Sequence, residues 1–129
     1  MKKLLLSSIA VSFLMAPTLF ADEEYNHFPA LQATDTSVAI CNLNNFNAKL
    51  QAILNKPQIE VEDMVKVHEL TYTLENAVQR LQQDLVVIAD DLERAHKASE
   101  SLQQDVLRTS SNAYLSALEL LLQPKECKS

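Results

Sequence analysis

Apolar residues recur every three or four positions along most of the chain, a period that is typical of amphipathic α-helices. In one stretch the steps of three and four alternate without interruption: Met64, Val67, Thr71, Leu74, Val78, Leu81, Leu85, Ile88, Leu92 and Ala95. This heptad pattern predicts one long helix over about residues 60–97. The polar residues between these positions would form its solvated face.

Two shorter helices are predicted on either side of the long one. The first covers about residues 36–55 and starts near Asp35 or Thr36, whose side chains both suit an N-cap. The last covers about residues 101–122, where Ser101 and Gln104 have the spacing of a capping box. The heptad pattern could instead continue into the last segment as one very long helix, but no other part of a monomer would then pack against its apolar stripe. We therefore expect a reversal near residues 99–101 and an all-α antiparallel bundle.

The first 21 residues have the three-part layout of a secretory signal peptide. Lys2 and Lys3 precede an apolar run, and the small Ala21 stands before three acidic residues. Because Pro17 interrupts the run, a membrane anchor is the weaker interpretation. We expect cleavage after Ala21 and a periplasmic or secreted protein that has no membrane association after cleavage. Residues 22–34 lack a clear period and are interpreted as an extended arm, and residues 35–129 as a single helical domain.

Charge and composition narrow the possible functions. Removal of the leader, which holds two of the 11 basic and none of the 17 acidic residues, leaves a net charge of −8. This charge disfavours nucleic acids and anionic membranes as partners. The chain contains no glycine, on which phosphate-binding loops and nucleophile elbows depend. No nucleophile and base stand in a catalytic pattern, so the sequence predicts neither an enzyme nor a cofactor.

Cys41 and Cys127 are predicted to form a disulfide, because an exported chain meets oxidising conditions. Helices rise by about 1.5 Å per residue, so reflecting the first helix about its turn places Cys41 level with about Asn76. The same reflection of the last helix places Leu122 level with about Ala77. The two outer helices would then meet beside the middle of the long one, where both sulfurs are expected. Free or intermolecular thiols are the alternative.

The histidines supply candidate metal ligands. His68 follows Met64 by one helical turn, a spacing that could bind copper or another transition ion, and His27 on the arm could join them. A haem would also need His27 or a second chain, because Met64 and His68 share one helix and cannot ligate it from opposite sides. The alternative is a packing histidine that forms an interaction strip with Tyr72 and Glu75.

Three motifs carry a resemblance to a known family. The stretch HELTYTLENAVQRLQQDL at residues 68–85, with NHF on the arm and NAKL in the first helix, resembles a family of small uncharacterised periplasmic helical proteins of Gram-negative bacteria. The resemblance implies an exported helical bundle and carries no activity.

The predicted role is binding or structural, through an apolar groove that the two short helices leave open beside the long one. The partner would be a protein, a small apolar ligand or a second copy in a homodimer. The alternative is a metal- or haem-binding carrier that uses His68 with Met64, His27 or both.

Overall fold

A computed structural model describes residues 27–123 and residue 127. It contains three helices, α1 (Thr36–Leu54), α2 (Val61–Glu100) and α3 (Gln104–Leu122), and no strand in these residues. Both short helices pack against α2, and they also contact each other. The predicted all-α bundle with a long central helix is therefore confirmed. The predicted leader and residues 22–26 of the predicted arm lie outside the described residues.

The first two helices begin at polar caps. The carboxylate of Asp35, one of the two caps that the sequence predicts, accepts a hydrogen bond from the backbone amide of Val38 at 3.0 Å. This bond lowers the pKa of Asp35 below its ordinary value of 3.8, because it favours the charged form. Glu60 and Asp63 form a capping box at the start of α2. The hydrogen bonds from Lys56 and from the Glu60 amide lower the pKa of Asp63.

The turn between α2 and α3 differs from the prediction. Ser101 does not cap α3: it ends α2, and its hydroxyl donates to the carbonyl of Lys97 at 2.8 Å. Leu102 has a left-handed backbone with φ 55°, and the amide of Gln103 donates to the carbonyl of Ala98 at 2.9 Å. This is the closing bond of a Schellman motif, which usually places glycine at the left-handed position. In a chain without glycine, a leucine occupies it.

The face of α2 that meets the rest of the molecule is rotated from the predicted seam. One of the two predicted seam positions in each heptad does face the bundle, because its residues are buried or half-buried: Val67, Leu74, Leu81, Ile88 and Ala95. The other buried or half-buried position lies one residue before the predicted one in each heptad: Asp63, Leu70, Ala77, Asp84 and Asp91. Met64, Val78, Leu85 and Leu92 are consequently 45–62% exposed.

The rotation has a physical reason in the residues that it buries. Asp63 pairs with Lys56, and Asp84 accepts a hydrogen bond from Thr36 at 2.7 Å. Their carboxylates therefore have partners inside the bundle, which lowers the free energy of burying them. Small residues such as Ala77 and Ala98 allow helices to approach closely.

The predicted disulfide between Cys41 and Cys127 is present, with the two Cα atoms 5.4 Å apart. The contact between Thr36 and Asp84 sets the alignment of α1 with α2. Cys41 lies five residues after Thr36, so it is level with about Gln79, close to the predicted level of Asn76. The disulfide thus ties α1 to the chain beyond α3. In the described part of the chain, no helix combines the length and apolarity needed to cross a membrane.

Candidate functional site

The arm, residues 27–34, lies extended against four polar side chains on successive turns of α2, which we call the polar ladder: Glu69, Thr73, Asn76 and Arg80. The ladder binds the main chain of the arm. Glu69 accepts a hydrogen bond from an arm amide at 3.0 Å, Asn76 donates to an arm carbonyl at 3.0 Å, and Arg80 donates to another at 3.0 Å.

Thr73 is the most buried member of the ladder, with no exposed surface. Its hydroxyl accepts a hydrogen bond from the amide of Leu31 at 2.9 Å and donates to the carbonyl of Pro29 at 2.7 Å. The Thr73 hydroxyl therefore acts as both a hydrogen-bond donor and a hydrogen-bond acceptor to the main chain of the arm. Most ladder bonds go to backbone atoms, so the ladder fixes the path of the arm largely independently of its side chains.

Phe28 is the side chain that anchors the arm in the core. Its ring meets the ring of Phe46 edge to face, with the centroids 6.4 Å apart. The ammonium of Lys49 lies 4.2 Å from the centroid of Phe46 and 4.8 Å from that of Phe28. This geometry is favourable for a cation–π interaction with both rings. Next to Phe28, the Nδ1 atom of His27 contacts Glu69 of the ladder.

The three motifs of the sequence resemblance therefore meet in one place. NHF supplies His27 and Phe28, NAKL supplies Lys49, and the HELTYTLEN stretch supplies much of the ladder. Within that stretch, side chains divide between two inner faces of α2. Glu69, Thr73 and Asn76 face the arm, and Leu70 and Leu74 lie in or beside the core. The motif thus explains how the arm is held.

The predicted interaction strip is on the outer face of the same helical turns. His68, Tyr72 and Glu75 are all exposed. The hydroxyl of Tyr72 lies 2.9 Å from Nε2 of His68, and their rings meet edge to face with centroids 5.0 Å apart. Glu75 also lines a shallow hollow beside the strip, which is formed by Thr71, Leu74, Glu75, Val78, Gln79 and Gln82.

The candidate metal ligands have different neighbours. His27 contacts Glu69, whereas His68 contacts Tyr72, and Met64 is 62% exposed. Among the residues that the structure describes, no group of three or more His, Cys, Asp or Glu side chains is arranged to hold a metal ion. The proposed set of His68, Met64 and His27 stays a prediction.

An exposed aliphatic row follows the same helix, and we call it the apolar strip: Val78, Leu85 and Leu92, which are 45%, 51% and 49% exposed. A second hollow adjoins its far end and is formed by Ala89, Leu92, Glu93, Ala95, His96, Ser99 and Leu107. A row of aliphatic side chains with hollows at both ends can bind an apolar surface.

The polar ladder was not predicted from the sequence. Its members recur at steps of four, three and four, which is the same period as the apolar seam. We interpreted polar residues between the seam positions as a solvated face. A strip of hydrogen-bonding residues with helical spacing, next to an arm of irregular sequence, is the signal that could have revealed it.

Comparison with known proteins places the chain without giving it an activity. It belongs to a family of unknown function, DUF6746, whose model matches residues 1–123. No curated protein and no solved structure matches the chain. The function therefore has to be inferred from the geometry of the site.

Proposed function

We propose that this protein is a small periplasmic helical protein that acts by binding another protein surface through the apolar strip of α2. The observation that carries the proposal is the exposure of half of a regular heptad seam. Val78, Leu85 and Leu92 keep roughly half of their surface in contact with solvent, although they lie at seam positions. Exposed aliphatic patches of this kind mark interaction sites in soluble proteins.

Export is supported by two independent features. The first 21 residues follow the pattern of a secretory leader. Cys41 and Cys127, which are 86 positions apart in sequence, are joined in a disulfide, and such bonds persist in oxidising compartments. The periplasm of a Gram-negative cell fits both features, because proteins with a secretory leader are exported to it and it is oxidising.

Intact mass spectrometry of protein from the periplasmic fraction tests this part of the proposal. We expect a chain that begins at Asp22 and that gains no mass on alkylation until it is reduced. A full-length chain in the cytoplasmic fraction, or two thiols that alkylate without reduction, would contradict it.

Site-specific photo-crosslinking in cells tests binding by the strip. A photoreactive residue at Leu85 stands in the strip, whereas the same residue at Val87 lies on the same helix about 200° away around its axis. Val87 is a suitable control because it is also exposed, at 57%. We expect a discrete protein adduct, identified by mass spectrometry, from position 85 only. Equal adducts from both positions, or none from position 85, would contradict a binding role for the strip.

A further inference from the structure

We infer that the partner of the apolar strip is a second copy of this chain, paired through α2 in antiparallel orientation about a two-fold axis at Leu85. The inference rests on the proposed function, because it names the partner of the same strip. Four observations support it: the spacing of the strip, its symmetry, its charge and its length.

The spacing of the strip indicates a helical partner. Val78, Leu85 and Leu92 are seven residues apart, which is the repeat that packs one long helix against another. The two hollows extend this surface from Thr71 to Ser99, a length of about 42 Å. Among the described helices, α2 has 40 residues and the other two have 19 each. Only a second α2 matches the strip in both period and length.

The strip is symmetric about Leu85. Val78 precedes Leu85 by seven residues and Leu92 follows it by seven. On α2, the hollow before Leu85 begins at Thr71 and the hollow after it ends at Ser99, each 14 residues away. Leu107 of α3 also lines the second hollow. An antiparallel pair therefore places Val78 of one copy opposite Leu92 of the other, and each hollow opposite the other. Such a self-complementary patch is what a two-fold interface requires.

Charge is depleted at the centre of the strip. Between residues 76 and 89, Arg80 and Asp84 are the only charged residues. They form an ion pair at 2.8 Å, and they also bind Thr34 and Thr36 on the side of the arm and α1. The remaining surface of this segment is uncharged, as the centres of interfaces are. Two copies without the leader, with a net charge of −8 each, can approach most closely there.

The size of the strip sets the strength of the pairing. A surface about 42 Å long and about 12 Å wide covers about 500 Å² per copy, or about 1,000 Å² in total. This is the lower limit for a specific interface, so a dimer that dissociates at micromolar concentration is expected.

Sedimentation equilibrium of the purified chain with its disulfide intact tests the pairing. We expect the wild type to dimerise below about 100 μM. Leu85→Glu should raise the dimer dissociation constant at least 100-fold, because the two copies would bury two like-charged glutamates next to each other at the two-fold axis. Val87→Glu lies on the opposite side of the helix, and its dimer dissociation constant is expected to stay within about threefold of the wild-type value. Circular dichroism checks that both variants keep the helical content and melting temperature of the wild type. A wild type that stays monomeric at about 1 mM overturns the inference, as does an equal effect of the two variants.

Cysteine crosslinking tests the orientation. Val78→Cys and Leu92→Cys proteins are oxidised separately and as a mixture, while Cys41 and Cys127 stay bonded to each other. The antiparallel pair predicts that the mixture forms crosslinked dimers faster than either protein alone. Faster crosslinking of the Val78→Cys protein with itself would indicate parallel chains and would overturn the inference.

The outcomes separate this inference from the proposed function. A purified chain that stays monomeric, together with a cellular adduct from position 85 to a different protein, overturns the pairing and leaves the binding role standing. A monomer without any adduct from position 85 overturns both.

Discussion

The buried core beside the N-terminal half of α2 contains large side chains, whereas most of the fully buried side chains in its C-terminal half and in α3 are small. In the first half, Phe46, Ile53 and Leu70 form the buried core, with Phe28 of the arm packed against it. In the second half, the buried residues are Ile88, Ala95, Ala98 and Ser110. Because the free energy of burial scales with apolar area, the first half contributes more to stability.

The polar contacts show the same asymmetry. The polar ladder and the pair of Lys56 with Asp63 connect α2 to the arm and to the end of α1. Beyond Asp84, the ion pairs of Arg94 with Asp91, His96 with Glu100 and Lys97 with Glu93 all join residues of α2 itself. These polar contacts therefore tie α2 to the arm and to α1, and the disulfide ties α1 to the chain beyond α3.

The largest expected effect is the loss of the aromatic core. Phe46→Ala should lower the free energy of unfolding by about 3–5 kcal/mol, because the ring is buried and leaves a cavity. In the other half, Ile88→Ala should cost about 2 kcal/mol, since fewer atoms are removed. Urea unfolding followed by circular dichroism measures both. An Ile88 variant that is less stable than the Phe46 variant would reverse the comparison.

Removal of the disulfide comes next. A chain with Cys41→Ser and Cys127→Ser should lose about 2–4 kcal/mol, because a long loop in the unfolded chain is no longer closed. The amide hydrogens of α3 should then exchange faster than those of α1, which keeps its core contacts. Reduction of the wild-type chain should reproduce both effects and serves as the control. Equal acceleration in α1 and α3 would show that the two halves unfold as one unit.

Loss of a ladder hydroxyl should have a smaller effect. Thr73→Val should cost about 1–3 kcal/mol, because the amide of Leu31 and the carbonyl of Pro29 lose their buried partner. Hydrogen exchange at the Leu31 amide should accelerate as the arm detaches. The control is Thr71→Val, whose hydroxyl bonds to the carbonyl of His68 within α2 and should change stability by less than about 0.5 kcal/mol. Unchanged exchange at Leu31 would mean that Thr73 does not hold the arm.

The smallest effect is expected at the turn between α2 and α3. Leu102→Gly should raise the free energy of unfolding by about 0.5–1 kcal/mol, because glycine adopts φ 55° without steric strain and the leucine side chain is 85% exposed. Leu102→Ala keeps a Cβ atom and should gain little. If the alanine variant is stabilised as much as the glycine variant, backbone strain is not the cause.

Local sequence features predicted the helices well because they act over a few residues. Asp35 caps α1 where the sequence predicts, and the heptad period identifies α2. The Cys41–Cys127 pairing also followed from helix lengths, since a fixed rise per residue converts sequence positions into levels along the bundle. The capping box at Ser101 was wrong because Leu102 adopts a left-handed conformation that no side-chain pattern indicated.

The sequence by itself determined which segments are helical, where α1 begins and which cysteines pair. The tertiary structure decided which face of α2 is buried and that Glu69, Thr73, Asn76 and Arg80 hold the arm. A heptad pattern predicts an apolar seam on a helix but not which other segment of the chain packs against that helix. Here one of the packed segments is an arm more than 40 positions away in sequence, and its backbone amides and carbonyls need hydrogen-bonding side chains on α2. The ladder satisfies those backbone groups on one side of α2, while Val78, Leu85 and Leu92 remain at the surface.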